Sequence, residues 1–166
     1  MPLIFQPTFY QVLKLRTFDR FVVTPEESGY FAVLSITEED IDQEGGYPLP
    51  RDRLAEIHDN LLSRGATGVG WVIGFPHADR LGGDKKFAAA LSHSSSVLAL
   101  FENNNNEYPP TVGTVTLGEE VGGFKAQGTI QNIDILKDSD WTDQGIASAP
   151  VEVDSLVRRI PLLYRT

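Results

Sequence analysis

The chain of 166 residues has no cysteine, a single methionine and two tryptophans. Without cysteine it cannot carry thiol catalysis, an iron–sulfur cluster or a zinc site of the cysteine type. The lack of cysteine leaves the cellular compartment open, because a domain of the bacterial periplasm can also do without it. The remaining composition, with 41% hydrophobic and 22% charged residues, is that of one globular domain with its own core.

Long hydrophobic runs are also missing. No segment approaches the roughly 18 to 20 apolar residues that span a bilayer, and Met1–Phe5 is too short and lacks the basic residues of a signal peptide. Positive charge is scarce, because 14 Lys and Arg stand against 23 Asp and Glu, for a net charge of -9. This acidic excess occurs in both halves of the chain and repels a phosphate backbone, so we expect no nucleic-acid partner.

Hydrophobic spacing predicts an α/β fold: a central, largely parallel sheet flanked by helices, with a β-rich second half and an N-terminal helix. The predicted helices are residues 8–23, residues 51–64 with Gly65 as the cap, and a short helix with Asp84 as its N-cap. The predicted core strands are the apolar runs at 31–36, 69–75 and 97–101. Weaker strand patterns follow at 111–117, 127–133 and 156–164. The alternation of core strands and helices implies parallel pairing.

Several segments resemble chemical motifs but do not fit them. The glycine-rich segment 65–70 follows a helix and precedes a strand, the reverse of a dinucleotide-binding turn, so we interpret it as a plain turn. The segment 138–145 departs from calcium-loop spacing, which favours a solvated acidic loop. His58, His77 and His93 lack the spacing of a zinc site, and His58 is predicted to lie at the surface.

No catalytic constellation is evident either. The chain lacks the Gly-x-Ser-x-Gly elbow of a serine hydrolase, and its many carboxylates allow pairs by chance anywhere. We therefore expect the chain itself not to be an enzyme, and we expect neither a cofactor nor a metal ion.

Polar side chains follow the carboxyl ends of the three predicted core strands. Ligands of parallel α/β sheets bind at this edge, so the sequence predicts a small polar crevice there. Its candidate ligand-binding residues are Thr37, Glu38, His77, Asp79, Arg80 and Glu102. Ordinary solvated connections are the alternative, because every α/β sheet has loops at this edge.

The landmarks between Phe31 and Tyr164, taken in order, resemble the CHASE domain of the second type, the cyclases/histidine kinases associated sensory extracellular domain. The segments that carry the resemblance are Ile36–Ile41, Gly46–Arg51, Gly65–Phe75, Asp79–Asp84 and Val153–Leu162. The chain departs from the family at Tyr47 and Leu49, where tryptophan is common. It also departs in the first and second core strands, where aspartate is common and this chain has Ser35 and Val72 or neighbouring apolar residues.

The resemblance implies a ligand-sensing domain on the periplasmic or extracellular side of a bacterial membrane receptor, whose cytoplasmic output is a histidine kinase, a nucleotide cyclase or another signalling enzyme. It implies one sensory domain over residues 1–166, with a helix at 1–24 leading from a membrane segment and a sensor core at 30–166. The partners it implies are an unidentified small-molecule ligand, flanking membrane helices and a second copy of the chain.

Five charged residues are expected to serve the structure rather than a ligand. A buried charge has to be paired, and we expect internal ion pairs to involve Arg51, Asp84, Asp154, Arg158 and Arg159.

The sequence leaves two functions other than ligand sensing open. One is a small stand-alone hydrolase or transferase with an acidic metal site near Asp84 or Asp134, and the other is a mechanical dimerisation module without a ligand.

Overall fold

The computed structural model describes residues 8–23, 26, 28–107, 124–161 and 164–165. The chain divides into two compact units. We call residues 1–35 and 149–160 the helix–turn unit, and residues 36–148 and 161–166 the sheet unit.

The sheet unit is built on three parallel strands. Strand β2 (Ser95–Glu102) lies in the middle, with β1 (Gly68–Trp71) on one edge and β5 (Thr142–Ile146) on the other. The last residues of β2 also pair with β4 (Thr129–Ile130), which runs antiparallel to it. A separate parallel pair consists of β3 (Phe124–Lys125) and β6 (Tyr164–Arg165). The largely parallel sheet predicted from the sequence is confirmed.

The third parallel strand is not the predicted one. Residues 31–36 form no strand, and Phe31 and Val33 are each 91% exposed. The sheet is complete without this run because β2 has β1 on one edge and the polar strand β5 on the other. The predicted strand at 31–36 is therefore wrong, and so is the interpretation of 138–145 as a loop throughout.

The other strand predictions differ mainly in length. The run at 97–101 is confirmed inside β2, whereas only residues 69–71 of the second run, 69–75, lie in β1 and pair with it. Beyond Trp71 the chain leaves the strand and bonds to residues near β4 instead: the Phe75 amide donates to Asn132 Oδ1 at 2.8 Å. Among the described residues of the two later patterns, 129–130 lie in β4 and 164 lies in β6, and 111–117 lies outside the described residues.

Three predicted helices are confirmed: α1 (Thr8–Phe21), α3 (Arg51–Ser63) and α4 (Asp84–Leu91). Two short helices, α2 (Glu38–Gln43) and α5 (Asp134–Lys137), complete the described set. Gly65 follows α3 with a φ of +99°, the left-handed conformation that favours glycine after a helix. The N-cap of α4 is Gly83 and not Asp84, because the Asp84 carboxylate binds other groups, described below.

The core of the sheet unit contains a cluster of aromatic rings. The Phe87 ring on α4 meets Trp71 edge-on at a centroid distance of 5.2 Å and packs against Phe75 at 5.4 Å. Buried aliphatic side chains surround these rings, among them Leu54, Leu91, Leu98 and Leu136. Edge-to-face contacts of this kind fix ring orientations in addition to burying apolar area.

His58 lies in this core, so its predicted surface position is wrong. It shares one face of α3 with Arg51, Leu54 and Ala55, since these positions are three, four and seven residues apart. Both ring nitrogens have polar neighbours, because Trp71 Nε1 donates to His58 Nδ1 at 3.4 Å and the Ser94 hydroxyl lies 3.4 Å from Nε2. Burial lowers the pKa of His58, which favours the neutral ring.

Candidate functional site

Arg51 binds several polar groups at the point where α3 begins. Its guanidinium donates to the Asp84 carboxylate at 2.5 Å and to the carbonyl oxygen of His77 at 2.7 Å. The guanidinium carbon lies 4.8 Å from the centre of the Phe75 ring, within range of a cation–π contact. We call Arg51, Phe75, His77, Asp79 and Asp84 the Arg51 cluster. It joins the start of α3 to the start of α4.

The two carboxylates of the Arg51 cluster are already engaged. Asp79 Oδ2 accepts hydrogen bonds from the amides of Arg51 (3.3 Å) and Gly83 (3.0 Å), and the Asp79 amide donates to Asp84 Oδ2 at 2.9 Å. Burial by itself raises the pKa of Asp79, but hydrogen bonds from backbone amides and the nearby Arg51 charge outweigh it and hold that pKa below its ordinary value. Asp79 therefore stays ionised and bound to the protein's own groups.

Gly83 is packed tightly inside the same cluster. A Cβ atom placed on it would lie 2.6 Å from the Asp52 amide nitrogen and 3.0 Å from Asp79 Oδ2. The absence of a side chain at this position lets the loop before α4 approach the first turn of α3.

The six predicted ligand-binding residues lie in several places. His77 and Asp79 belong to the Arg51 cluster, and Arg80 is exposed on the same loop. Thr37 instead caps α2, where its hydroxyl donates to Asp40 Oδ2 at 2.7 Å. In the part of the chain that the structure describes, no hydrogen bond or ion pair connects the cluster with Thr37, Glu38 or Glu102. The ligand-binding role of all six stays a prediction.

A second set of ion pairs lies in the helix–turn unit and centres on Arg158. Its guanidinium makes four hydrogen bonds of 2.6 to 2.8 Å, two to Asp19 on α1 and two to Asp154. We call these three residues the Arg158 clamp. The hydrogen bonds from Arg158 lower the pKa of Asp154 to about 2, and they lower the pKa of Asp19 as well. Because the two chain segments are far apart in sequence, no local pattern predicts that Asp19 takes part.

A cavity of about 330 Å³ opens beside the Arg158 clamp. We call it the α1 groove. One wall is the face of α1 that carries Gln11, Lys14, Leu15 and Phe18, which are spaced three, four and seven residues from the first. The other wall is formed by the turn at 152–159, including its side chains Glu152, Val153, Arg158 and Arg159. No local sequence pattern indicates this groove, because its two walls meet only in the folded unit.

The turn that forms the second wall is held by its own hydrogen bonds. The amide of Glu152 donates to the Leu156 carbonyl, and the amide of Ser155 donates to the Glu152 carbonyl, each at 2.9 Å. Ser155 adopts a φ of +64°, which reverses the chain. Arg159 pairs with Glu152 across the turn at 2.5 Å, so the groove's second wall is a closed, internally paired loop.

The two acids proposed for a hydrolytic metal site, Asp84 and Asp134, each form an ion pair with a basic residue. Asp84 is bound to Arg51, and Asp134 pairs with Lys137 at 2.7 Å while its side chain is 84% exposed. Among the described residues, no three His, Asp or Glu side chains come together in an arrangement that could hold a metal ion. The geometry of these residues offers no support for the hydrolase alternative.

Comparison with known families decides what this fold belongs to. The model of the CHASE2 domain matches residues 1–166. The chain belongs to the CHASE2 family. CHASE2 domains are extracellular sensor domains of signalling receptors and are not catalytic themselves. The resemblance seen between Phe31 and Tyr164 is therefore confirmed.

Two further findings complete the comparison. No curated protein and no solved structure shows significant similarity to this CHASE2 domain. Within the described ranges, no helix combines the length and the apolar character needed to cross a membrane.

Proposed function

We propose that this CHASE2 domain is the extracytoplasmic, ligand-sensing part of a bacterial transmembrane receptor. It passes a conformational signal to a cytoplasmic histidine kinase or nucleotide cyclase. The observation that carries the proposal is the CHASE2 match over residues 1–166. The Arg51 cluster is consistent with it, because both of its carboxylates are held by the protein's own donors and not presented to a substrate.

The Arg158 clamp supplies a mechanical element that suits a sensor. Two hydrogen bonds from Arg158 to Asp19 join α1 to the turn at 152–159, and two more to Asp154 lie within the turn, so that a displacement of one segment is passed to the other. A ligand shifts such an arrangement only by as much as its affinity differs between two conformations. The pair of hydrogen bonds from Arg158 to Asp19 is charge-assisted and bidentate, and bonds of this kind are stronger than neutral ones, which favours joint movement of the two segments.

The partners belong to the same proposal. The receptor has membrane helices flanking the domain, a small-molecule ligand and no nucleic-acid partner, since the domain's net charge of -9 repels phosphate. Two copies of the chain pair in the receptor, in line with the prevalence of twofold symmetry among homo-oligomers.

The location of the domain can be tested in intact cells, because the chain has no cysteine of its own. His77→Cys places a thiol on an exposed loop, and Ala90→Cys places one at a position that is 2% exposed. We expect a membrane-impermeant maleimide to label His77→Cys in the receptor without permeabilising the cells. The Ala90→Cys control should react only after denaturation. Labelling of His77→Cys that requires cell lysis would contradict the proposed location.

A further inference from the structure

We propose that the α1 groove is the ligand site of this sensor and that it takes a small organic anion with an apolar body, such as an aromatic carboxylate. The inference rests on the proposed sensing function and adds the class of ligand to it. It is carried by the shape, the apolar walls and the charges of the groove, all within the helix–turn unit.

The size and the walls of the groove fit a small organic molecule. Its volume of about 330 Å³ falls at the lower end of the range typical of ligand pockets. Phe18 and Val153 line it from opposite walls, yet they are 56% and 52% exposed. A molecule between them would remove this apolar surface from water, which is the main source of affinity in such sites.

Among the described residues that line the groove, an unpaired lysine makes it favour an anion. Arg158 is bound by two carboxylates, those of Asp19 and Asp154, which together outweigh its single charge, and Arg159 is paired with Glu152. Lys14 is different, because in the described part of the chain no ion pair includes it. Its ammonium group is therefore the charge that remains available to a ligand in the groove.

The helix that carries Lys14 reinforces this preference. Helix α1 contains Lys14, Arg16 and Arg20 against the single acid Asp19, which makes it a positive segment in a chain of net charge -9. The net positive charge of this helix favours an anion beside Lys14 at longer range, whereas the domain as a whole is acidic.

The Arg158 clamp keeps the two walls in place before a ligand arrives. The Arg158 side chain is 7% exposed. Arg158 belongs to the turn that forms the second wall, and it binds Asp19 on α1, the helix that forms the first wall. A site whose walls are already joined loses less conformational freedom on binding. The crevice predicted at the carboxyl ends of the core strands is a weaker candidate for the ligand site. Its Asp79 already accepts hydrogen bonds from backbone amides, and the first of its three predicted strands is not formed.

The test uses the purified 166-residue chain and three probes with the same aromatic body. Phenylacetate carries a negative charge, phenylethanol carries none and phenylethylamine carries a positive charge. We expect calorimetry to detect phenylacetate binding that is at least about tenfold tighter than that of phenylethylamine, with phenylethanol in between.

Two substitutions at lysine provide the matched controls. Lys14→Gln removes the cation from the groove, whereas Lys85→Gln removes an exposed lysine on α4 of the sheet unit. We expect Lys14→Gln to weaken phenylacetate about tenfold and to leave phenylethanol unchanged, while Lys85→Gln alters neither. Circular dichroism should show both variants folded, because both side chains are exposed.

The outcomes separate cleanly. Failure of all three probes to bind, equal affinity for the amine and the carboxylate, or phenylacetate binding that Lys14→Gln leaves intact would each overturn the assignment of the groove. None of these results bears on the labelling of His77→Cys in cells. The extracytoplasmic location of the domain can thus stand or fall independently of the ligand class.

Discussion

Single polar side chains at buried positions decide much of the chemistry of this domain. Arg51 is 8% exposed, yet its charge is matched by Asp84 and its remaining donors reach the His77 carbonyl. His58 is fully buried and stays neutral between Trp71 and Ser94. Both cases follow the rule that buried polar groups need partners, and among the described residues no buried side-chain nitrogen or oxygen lacks one.

The buried histidine makes the stability of the domain dependent on pH. Because burial lowers the pKa of folded His58, the unfolded chain takes up the proton first as the pH drops. The free energy of unfolding should therefore fall below about pH 6.5, by at most about 1.4 kcal/mol per pH unit, until the folded-state pKa is passed. Urea unfolding at a series of pH values measures this.

The variant His58→Gln isolates the contribution of this side chain. Asp59 and His93 are the charged or titratable neighbours that act on His58, and both are kept in the variant. We expect His58→Gln to flatten the decline below pH 6.5, whereas His77→Gln, on an exposed loop, keeps it. An unchanged pH profile in His58→Gln would assign the effect to other groups.

Some residue properties were within reach of the sequence and others were not. The apolar spacing on α3 predicts one buried face made of Leu54, Ile57, Leu61 and Leu62, with His58 facing away from it. In the structure Leu54 is buried together with His58. His58 can be buried because Trp71 and Ser94 provide polar partners from other elements. No feature of α3 itself shows that these partners exist.

Elements fix one another's positions where they come into close contact. The start of α3 meets the loop before α4 at Gly83, and the Arg51–Asp84 pair crosses the same junction. Asn132 has a comparable role between strands, because it accepts from the Phe75 amide and donates to the Ala99 carbonyl at 3.2 Å. The hydrogen bonds of Asn132 hold the chain around Phe75, beyond the end of β1, next to β2.

Substitution of Gly83 tests the junction between the two helices. In Gly83→Ala the new Cβ would lie 2.6 Å from the Asp52 amide nitrogen, so backbone has to shift. We expect a loss of about 1 to 3 kcal/mol in the free energy of unfolding, measured in urea. Gly70→Ala in β1 is the matched control, since nothing lies within 4 Å of its Cβ position. Equal losses in the two variants would contradict close packing at Gly83.

The helices were easier to predict than the strands. Helices α3 and α4 carry apolar residues at helical spacing, which is a local signal, and α3 (Arg51–Ser63) agrees closely with the predicted helix at 51–64. Strand β5 (Thr142–Ile146) has a polar sequence that indicates a loop, and it becomes a strand because the edge of β2 offers it hydrogen bonds. Residues 31–36 have the opposite character, an apolar run without a strand partner.

At the scale of the whole chain, each of the two compact units contains its own set of ion pairs. The Arg158 clamp lies within the helix–turn unit, and the Arg51 cluster lies within the sheet unit. Regions stabilised by separate contacts can open separately, with different free energies.

Hydrogen exchange of two variants tests this separation. Arg158→Gln should raise amide exchange in α1 and in the turn at 152–159, while α3 and α4 stay protected. Arg51→Met leaves Asp84 partly buried without its partner and should destabilise the sheet unit by about 3 to 5 kcal/mol, with faster exchange in α3 and α4. If either variant raised exchange uniformly, the chain would be a single cooperative unit.

At the scale of the whole molecule, the family could be recognised from the sequence but the proposed ligand site could not. Landmarks spread along the chain sufficed to place it among CHASE2 domains, because each landmark is a short local segment. The α1 groove could not be found in this way. Its walls, α1 and the turn at 152–159, are separated in sequence by residues 36–148 of the sheet unit and are joined by Asp19 and Arg158.

The amino-acid sequence by itself determined the acidic charge, the exclusion of thiol chemistry, the principal helices and the family. These properties depend on composition or on neighbours a few residues apart. Only the tertiary structure decided that β5 completes the parallel sheet, that His58 is buried and that Lys14 faces a groove beside the Arg158 clamp. Such outcomes depend on which distant segments meet, and hydrogen bonds, burial and ion pairing settle that only once the chain has folded.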